Sequence, residues 1–248
     1  MFTTGVHAWL YGATGCYFIA FTLYCRRGHR TARAALVAGF ILQSLYLLGR
    51  GWLGDIFIPN AIFEGPFFLP WCLALISLAQ SVKKQGSRPT GALALLVVFS
   101  LFSVFYAKGI VPPTPKKSTV WALLFFMSES AAHALFYTGA LYAALSFVEK
   151  KRSDNFYLWV IWGFIAYTIA QITGALWCFL GWGNTFSWGA RHLGSAAIWT
   201  FYAACLHLKF ISNWREKTAL LAIAGAALVF FISYGNYLHE MSFHRIGG

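Results

Sequence analysis

TALLAIAGAALVFFISYGNYL, residues 218–238, carries no acidic or basic side chain. Wound as a helix, a run of this length covers roughly 30 Å, the thickness of a bilayer's hydrocarbon core. In hydrocarbon each backbone polar group must be paired inside the protein, which leaves helices or closed barrels. Barrel strands would alternate with period two, and this run does not. Seven further runs of the same kind lie upstream, near 8–25, 35–53, 62–82, 91–108, 119–148, 156–178 and 194–212. The expected fold is therefore an all-α integral membrane bundle of about eight transmembrane helices, with residues 1–248 forming one transmembrane domain. The fifth run exceeds what a span requires and should tilt or project. No basic stretch or cleavage site precedes the first run, so it is expected to stay as an anchor and not to leave as a signal peptide.

Composition agrees with that expectation. Of the 248 residues, 59% are hydrophobic, 19% aromatic and only 10% charged, where soluble domains carry roughly 25% charged residues; mean hydropathy is +0.62. The formal charge of +12 does not indicate nucleic acid, which needs a basic face on a soluble module. The basic residues fall instead in short clusters between apolar runs. One set of connections holds Arg26, Arg27, Arg30, Arg33, Lys83, Lys84, Arg88, Lys150, Lys151, Arg152, Lys209, Arg215 and Lys217; the other holds Arg50, Lys108, Lys116, Lys117, Arg191 and Arg245. By the positive-inside rule the heavier set is cytoplasmic. Both termini are then expected on the periplasmic side of a bacterial inner membrane. The five cysteines, Cys16, Cys25, Cys72, Cys178 and Cys205, form no CxxC and are expected to be small buried hydrophobes. Without a CxxCH the chain is not itself a c-type cytochrome.

The outer connections differ in kind from the inner ones. Residues 51–59, 111–115 and above all 177–192 are aromatic and rich in Gly and Pro. An aromatic loop is poorly solvated in free water; it either lies in the interface, where indoles prefer to sit, or covers an apolar ligand. Chemistry is therefore expected on this side.

Within that region Gly174-Ala-Leu-Trp177-Cys178-Phe-Leu-Gly-Trp182-Gly183-Asn-Thr-Phe-Ser-Trp188 precedes Trp199, Tyr202, Leu206, His207 and Lys209. The pattern resembles the tryptophan-rich segment of the haem-handling proteins of cytochrome c assembly, the group that includes CcsA (ResC), CcmC and CcmF. From Trp182 to Lys209 the register holds without a gap, and Lys209 stands where the family has Arg. Tyr237-Leu238-His239 is similar to the family's close of the last helix, and residues 59–71 (PNAIFEGPFFLPW) to the family's segment P-x-S-N-x-Y-E-S-x-x-F-x-x-W. The departures are specific. Gly189 replaces the acid that names the motif, Ala190 the proline and His192 a Glu. The family's outer histidine near the fifth helix falls on Phe125 or Glu129 according to register, and the nearest histidine is His133.

The resemblance implies a protein that binds haem b and presents it for cytochrome c maturation, as a component of a haem lyase. Trp177, Trp182 and Trp188 would supply a flat platform for the macrocycle. His207, His239 and His133 are the implied iron ligands, with His239 outside and His207 in a deeper site. An apocytochrome c would offer its CxxCH thiols to the haem vinyl groups, and a second membrane subunit is the expected partner alongside membrane lipid. For the residues themselves the other uses stay open. His133 is either a ligand or a packing residue bonded to Glu129 or Ser130, and Glu129 is either protonated and paired within the bundle or a proton carrier. His192 and His244 are expected to be solvated at the outer surface, and His7 and His29 to be loop residues. Two other functions fit the same scaffold: a fixed haem b electron-transfer subunit with a quinol donor, or a structural subunit of a respiratory or photosynthetic complex.

Overall fold

The computed structural model describes residues 2–26, 29–53, 64–82, 90–106, 109, 116, 118–148 and 155–240, apart from the side chains of residues 2–4, 155, 237, 239 and 240. Among them the regular structure is helical: α1 (Phe2–Cys25), α2 (His29–Leu53), α3 (Gly65–Val82), α4 (Thr90–Phe105), α5 (Val120–Val148), α6 (Asn155–Trp182), α7 (Ala190–Leu208), the single turn α8 (Ser212–Arg215) and α9 (Thr218–Glu240). Five of these, α2, α3, α5, α6 and α9, are long and apolar enough to cross a membrane by length and composition. The chain is an all-α integral membrane protein.

The helices overrun their apolar runs. α2 begins at His29, ahead of the run at 35, because its polar first turn, with Arg30 and Arg33, needs no hydrocarbon around it. α6 continues past 178 to Trp182. It stops at Gly183, whose φ of +77° suits glycine at a helix end, with its N–H donating to the Phe179 carbonyl at 2.8 Å. α7 then starts at Ala190 and ends at Leu208, earlier at both ends than the run 194–212.

The chain divides into two compact units, residues 1–114 with 241–248, and residues 115–240. In the first, α1 packs on α2 and α4, and α3 on α2 and α4, so the four helices close a ring. Pro70 sits inside α3 and cannot donate to the carbonyl four residues back. Ser103 of α4 donates to that Pro66 carbonyl at 2.5 Å. The neighbouring Phe67 carbonyl receives Gln43 Nε2 at 3.0 Å, and Tyr17 in turn donates to Gln43 at 2.6 Å. Such repairs are what allow a proline within an apolar helix. The same unit buries Arg50, whose Nε and Nη2 donate to Glu64 at 2.5 and 2.9 Å. Its Nη2 also reaches the Gly109 carbonyl at 3.2 Å, and the guanidinium lies 4.4 Å over the Phe67 ring.

In the second unit α5 runs along α6, α9 packs on α5 and α7, and α7 touches α6. Small residues bring α5 and α6 together, as expected where lipid offers no hydrophobic drive. A Cβ at Gly163 would stand 2.6 Å from the Phe136 ring. Phe136 stacks in turn on Tyr202 of α7, with centroids 3.6 Å apart and planes 4° from parallel.

Candidate functional site

The end of α6, the turn after it and the start of α7 surround a cavity of about 640 Å³, within the usual 300–1,000 Å³ of a ligand pocket. From α6 the wall takes Gln171, Gly174, Ala175, Trp177, Cys178 and Trp182; from α7 it takes Arg191, His192, Ser195, Ala196, Trp199 and Thr200; Phe125 of α5 completes it. Both helical sets recur at three or four residues, so each forms one face of its helix. Gly174 makes room for the third side, since a Cβ there would meet the Phe125 ring at 2.8 Å.

The aromatic wall is fixed in place. Trp177 is buried and donates its indole N–H to the Lys116 carbonyl at 2.7 Å. It stacks on Phe125 at 5.9 Å and meets Trp182 edge-on at 5.4 Å, while the Lys116 ammonium lies 5.3 Å over the Trp182 ring. Trp199 donates to Thr168 Oγ1 at 3.1 Å.

Among the polar groups of the lining, Arg191, Gln171 and His192 stand out. The Arg191 guanidinium lies over Phe126 at 5.5 Å and Phe125 at 5.9 Å, yet its Nη2 is buried with no hydrogen-bond partner among the described residues. Gln171 Nε2 is in the same condition. His192 has Ser187 Oγ 3.0 Å from Nδ1 and Cys178 Sγ 3.6 Å from Nε2, with Phe186 edge-on at 5.5 Å. A buried donor without an acceptor costs about 1–3 kcal/mol, so the site is chemically set to receive an anion or a carbonyl.

Of the residues singled out from sequence, Trp177 and Trp182 line the cavity, both as helical residues of α6 and not as part of the outer connection expected over 177–192. Trp188 does not line it; its ring is 84% exposed and touches Phe186. His133 is buried in α5, stacked on Tyr167 at 5.8 Å, with no partner for Nε2 among the described residues and no place in the cavity wall. His207 is exposed near the far end of α7, its Nδ1 2.8 Å from the Ala203 carbonyl. His239 belongs to the last turn of α9, and its side chain, like all of His244, lies outside the described residues. So do residues 54–63 and 111–115. Phe125, one of the two positions offered for an outer histidine, is cavity wall; the other, Glu129, is only part-buried one turn along α5. Sequence reasoning did not select Arg191, His192, Cys178 or Gln171. The signal was there once α6 is run to 182 and α7 begun at 190: 171, 174, 175, 178, 182 and 191, 195, 199 keep helical spacing.

The family profile described as "Cytochrome C assembly protein" matches residues 61–244, which takes in the whole cavity. The chain belongs to the cytochrome c assembly protein family. Among relatives of this family, the cytochrome c biogenesis protein CcsA of Chlamydomonas reinhardtii is 25% identical over 231 residues, covering 84% of this chain and 65% of that protein. CcsA of Prochlorococcus marinus strain MIT 9301 is 30% identical, covering 84% and 81%. Among solved structures, the cytochrome c haem lyase CcmF superposes with a TM-score of 0.69 at 17% identity, over 97% of this chain and 49% of that one. The assembly-protein fold is thus shared, and the chain spans about half the length of the haem lyase and 65% of the algal protein.

Proposed function

We propose that this family member binds haem b in the α6–α7 cavity and presents it outward for cytochrome c maturation. One observation carries the reading: an aromatic cavity with Arg191 in its wall, one of whose guanidinium nitrogens is buried without a hydrogen-bond partner among the described residues, inside the segment that the family profile matches. The fit is chemical. Phe125, Trp177, Trp182 and Trp199 offer ring faces and edges to a macrocycle, and Arg191 offers a guanidinium to a propionate, a geometry that favours charge-assisted bonding. His192 is the imidazole in the wall, oriented through Nδ1 by Ser187 as ligating histidines usually are. His133, with its buried free Nε2, is the candidate for a deeper ligand. When bound, haem supplies the vinyl carbons that accept cysteine thiols, and the chain supplies binding, orientation and dryness.

The excess of Lys and Arg on the other side supports a periplasmic position for the cavity end, in a bacterial inner membrane. The apocytochrome c reaches the site there. A second membrane subunit is the partner proposed alongside the apocytochrome. The test is the absorption spectrum and pyridine haemochrome of the detergent-purified protein beside Arg191→Ala and His192→Ala. Haem b in the wild type, reduced in both variants, supports the reading. A wild type that takes up no haem on reconstitution leaves only the scaffold role.

A further inference from the structure

Cys178 and His192 stand on different helices and meet in the cavity wall, with Sγ 3.6 Å from Nε2. Ser187 Oγ holds the other ring nitrogen at 3.0 Å. A nucleophile, an imidazole within hydrogen-bond reach and a third group orienting that imidazole form the arrangement by which an activated nucleophile is recognised. The other uses of a cysteine do not account for it. All five cysteines are free. Among the described residues no three His, Cys, Asp or Glu side chains come together to hold a metal. Cys72 and Cys205 are buried packing residues, whereas Cys178 is half-buried and opens on the cavity.

The ligand such a cavity admits is flat, unsaturated and anionic, matching the ring faces and Arg191. The partner for a soft thiol in that ligand is a carbon–carbon double bond. We propose that Cys178 is a covalent attachment site, its thiol adding across a vinyl group of the tetrapyrrole to tether it by one thioether. This rests on the haem reading above. In the addition the S–H bond breaks, a C–S bond forms at one vinyl carbon and the thiol proton ends on the other; no electrons are gained or lost. With Nδ1 held by Ser187, His192 Nε2 is the nitrogen left to polarise the thiol as its sulfur adds. A CxxCH places thiols and imidazole within five residues of sequence. Here the thiol comes from α6 and the imidazole from α7, so the lack of that motif does not exclude a thioether.

The test incubates the full chain in detergent with dithionite-reduced haem b, then denatures it and extracts it with acid acetone. Intact mass and pyridine haemochrome are the readouts. The wild type should keep the mass of one haem through extraction, and Cys178→Ser should bind haem but release all of it. Cys178→Ala and wild type blocked with N-ethylmaleimide repeat the comparison should the serine variant fold poorly. Independently of haem, N-ethylmaleimide should label Cys178 ahead of Cys72 and Cys205, and bound haem should slow that labelling about tenfold. Wild type that binds haem yet loses all of it to acetone overturns the attachment and leaves the haem reading standing, as does retention by Cys178→Ser or labelling of Cys72 before Cys178. Wild type that binds no haem overturns both.

Discussion

Arg50 and Arg191 each place a guanidinium inside a helical bundle, and the two are treated differently. Arg50 meets Glu64 through two nitrogens, the Gly109 carbonyl and the Phe67 ring. Arg191 meets the rings of Phe125 and Phe126, and one of its nitrogens is buried without a partner among the described residues. Glu129 lies within electrostatic range of Arg191, but the ion pair formed among the described residues is Arg50–Glu64. Charge inside a membrane protein is costly and tends to be kept for function or paired away. The closed arrangement around Arg50 serves the fold, and the open one around Arg191 is where the ligand is proposed to bind.

The sharpest way to break this contrast is to remove one partner from the closed site. Glu64→Ala leaves Arg50 buried and uncompensated, at a cost of about 3–5 kcal/mol, so the variant should unfold at much lower temperature in detergent and accumulate poorly. Replacing both, as in Arg50→Met with Glu64→Leu, should recover most of the loss, because no charge is then stranded. A Glu64→Ala protein with unchanged thermal unfolding would show that the pair is not structural.

Arg191→Ala should behave in the opposite way. Its removal strands no carboxylate in an ion pair, so thermal unfolding should stay close to wild type. Haem affinity should fall by about 2 kcal/mol, roughly thirtyfold in Kd, read by titration of the absorption band. Arg191→Lys should recover part of it, since an ammonium keeps the charge but not the fork. Equal loss of stability in the two arginine sites would erase the distinction.

How much of this was legible beforehand follows from what each feature depends on. The spans were legible because length and the absence of charge are local properties, as residues 218–238 show. The ends of α6 and α7 were not, because Gly181, Trp182 and Arg191 are as compatible with an interfacial turn as with a helix, and hydropathy reports only where hydrocarbon ends. That boundary decided the site. With α6 stopped at 178, Trp182 and His192 read as loop residues and His192 as solvated; with the helices extended they share a wall with Cys178. The resemblance pointed to the region in which the cavity lies. It could not show that His207 faces outward, since facing is set by how α7 packs on α6 and α9, a tertiary matter that spacing alone leaves open.

Packing at the cavity offers a smaller effect that sharpens the same contrast. Gly174→Ala would set a Cβ 2.8 Å from the Phe125 ring, and overpacking of that kind costs about 1–3 kcal/mol. Phe125 is a wall of the cavity, so the displaced ring should narrow it and lower haem uptake along with thermal stability. Gly181→Ala, where a Cβ meets nothing within 4 Å, is the matched control and should leave both unchanged. Loss of haem in the control alone would place the ligand elsewhere than on this wall.

The smallest expected effect concerns His207, which the resemblance implies as a ligand and the fold does not bring to the cavity. It lies two turns beyond Trp199 on α7, roughly 12 Å along the axis, exposed, with Nδ1 on the Ala203 carbonyl of its own helix. A side chain so placed adds little to the stability of the fold, within about 0.5 kcal/mol for a surface position. His207→Ala should therefore match wild type in haem content and in thermal unfolding, while His192→Ala, from the start of the same helix, loses haem without losing stability. The pair tests placement against sequence register directly, because both are histidines of α7 and lie at opposite ends of it. Should His207→Ala empty the protein of haem while His192→Ala does not, the ligand would belong at the far end of α7, and the cavity at its start would be an apolar site for something else.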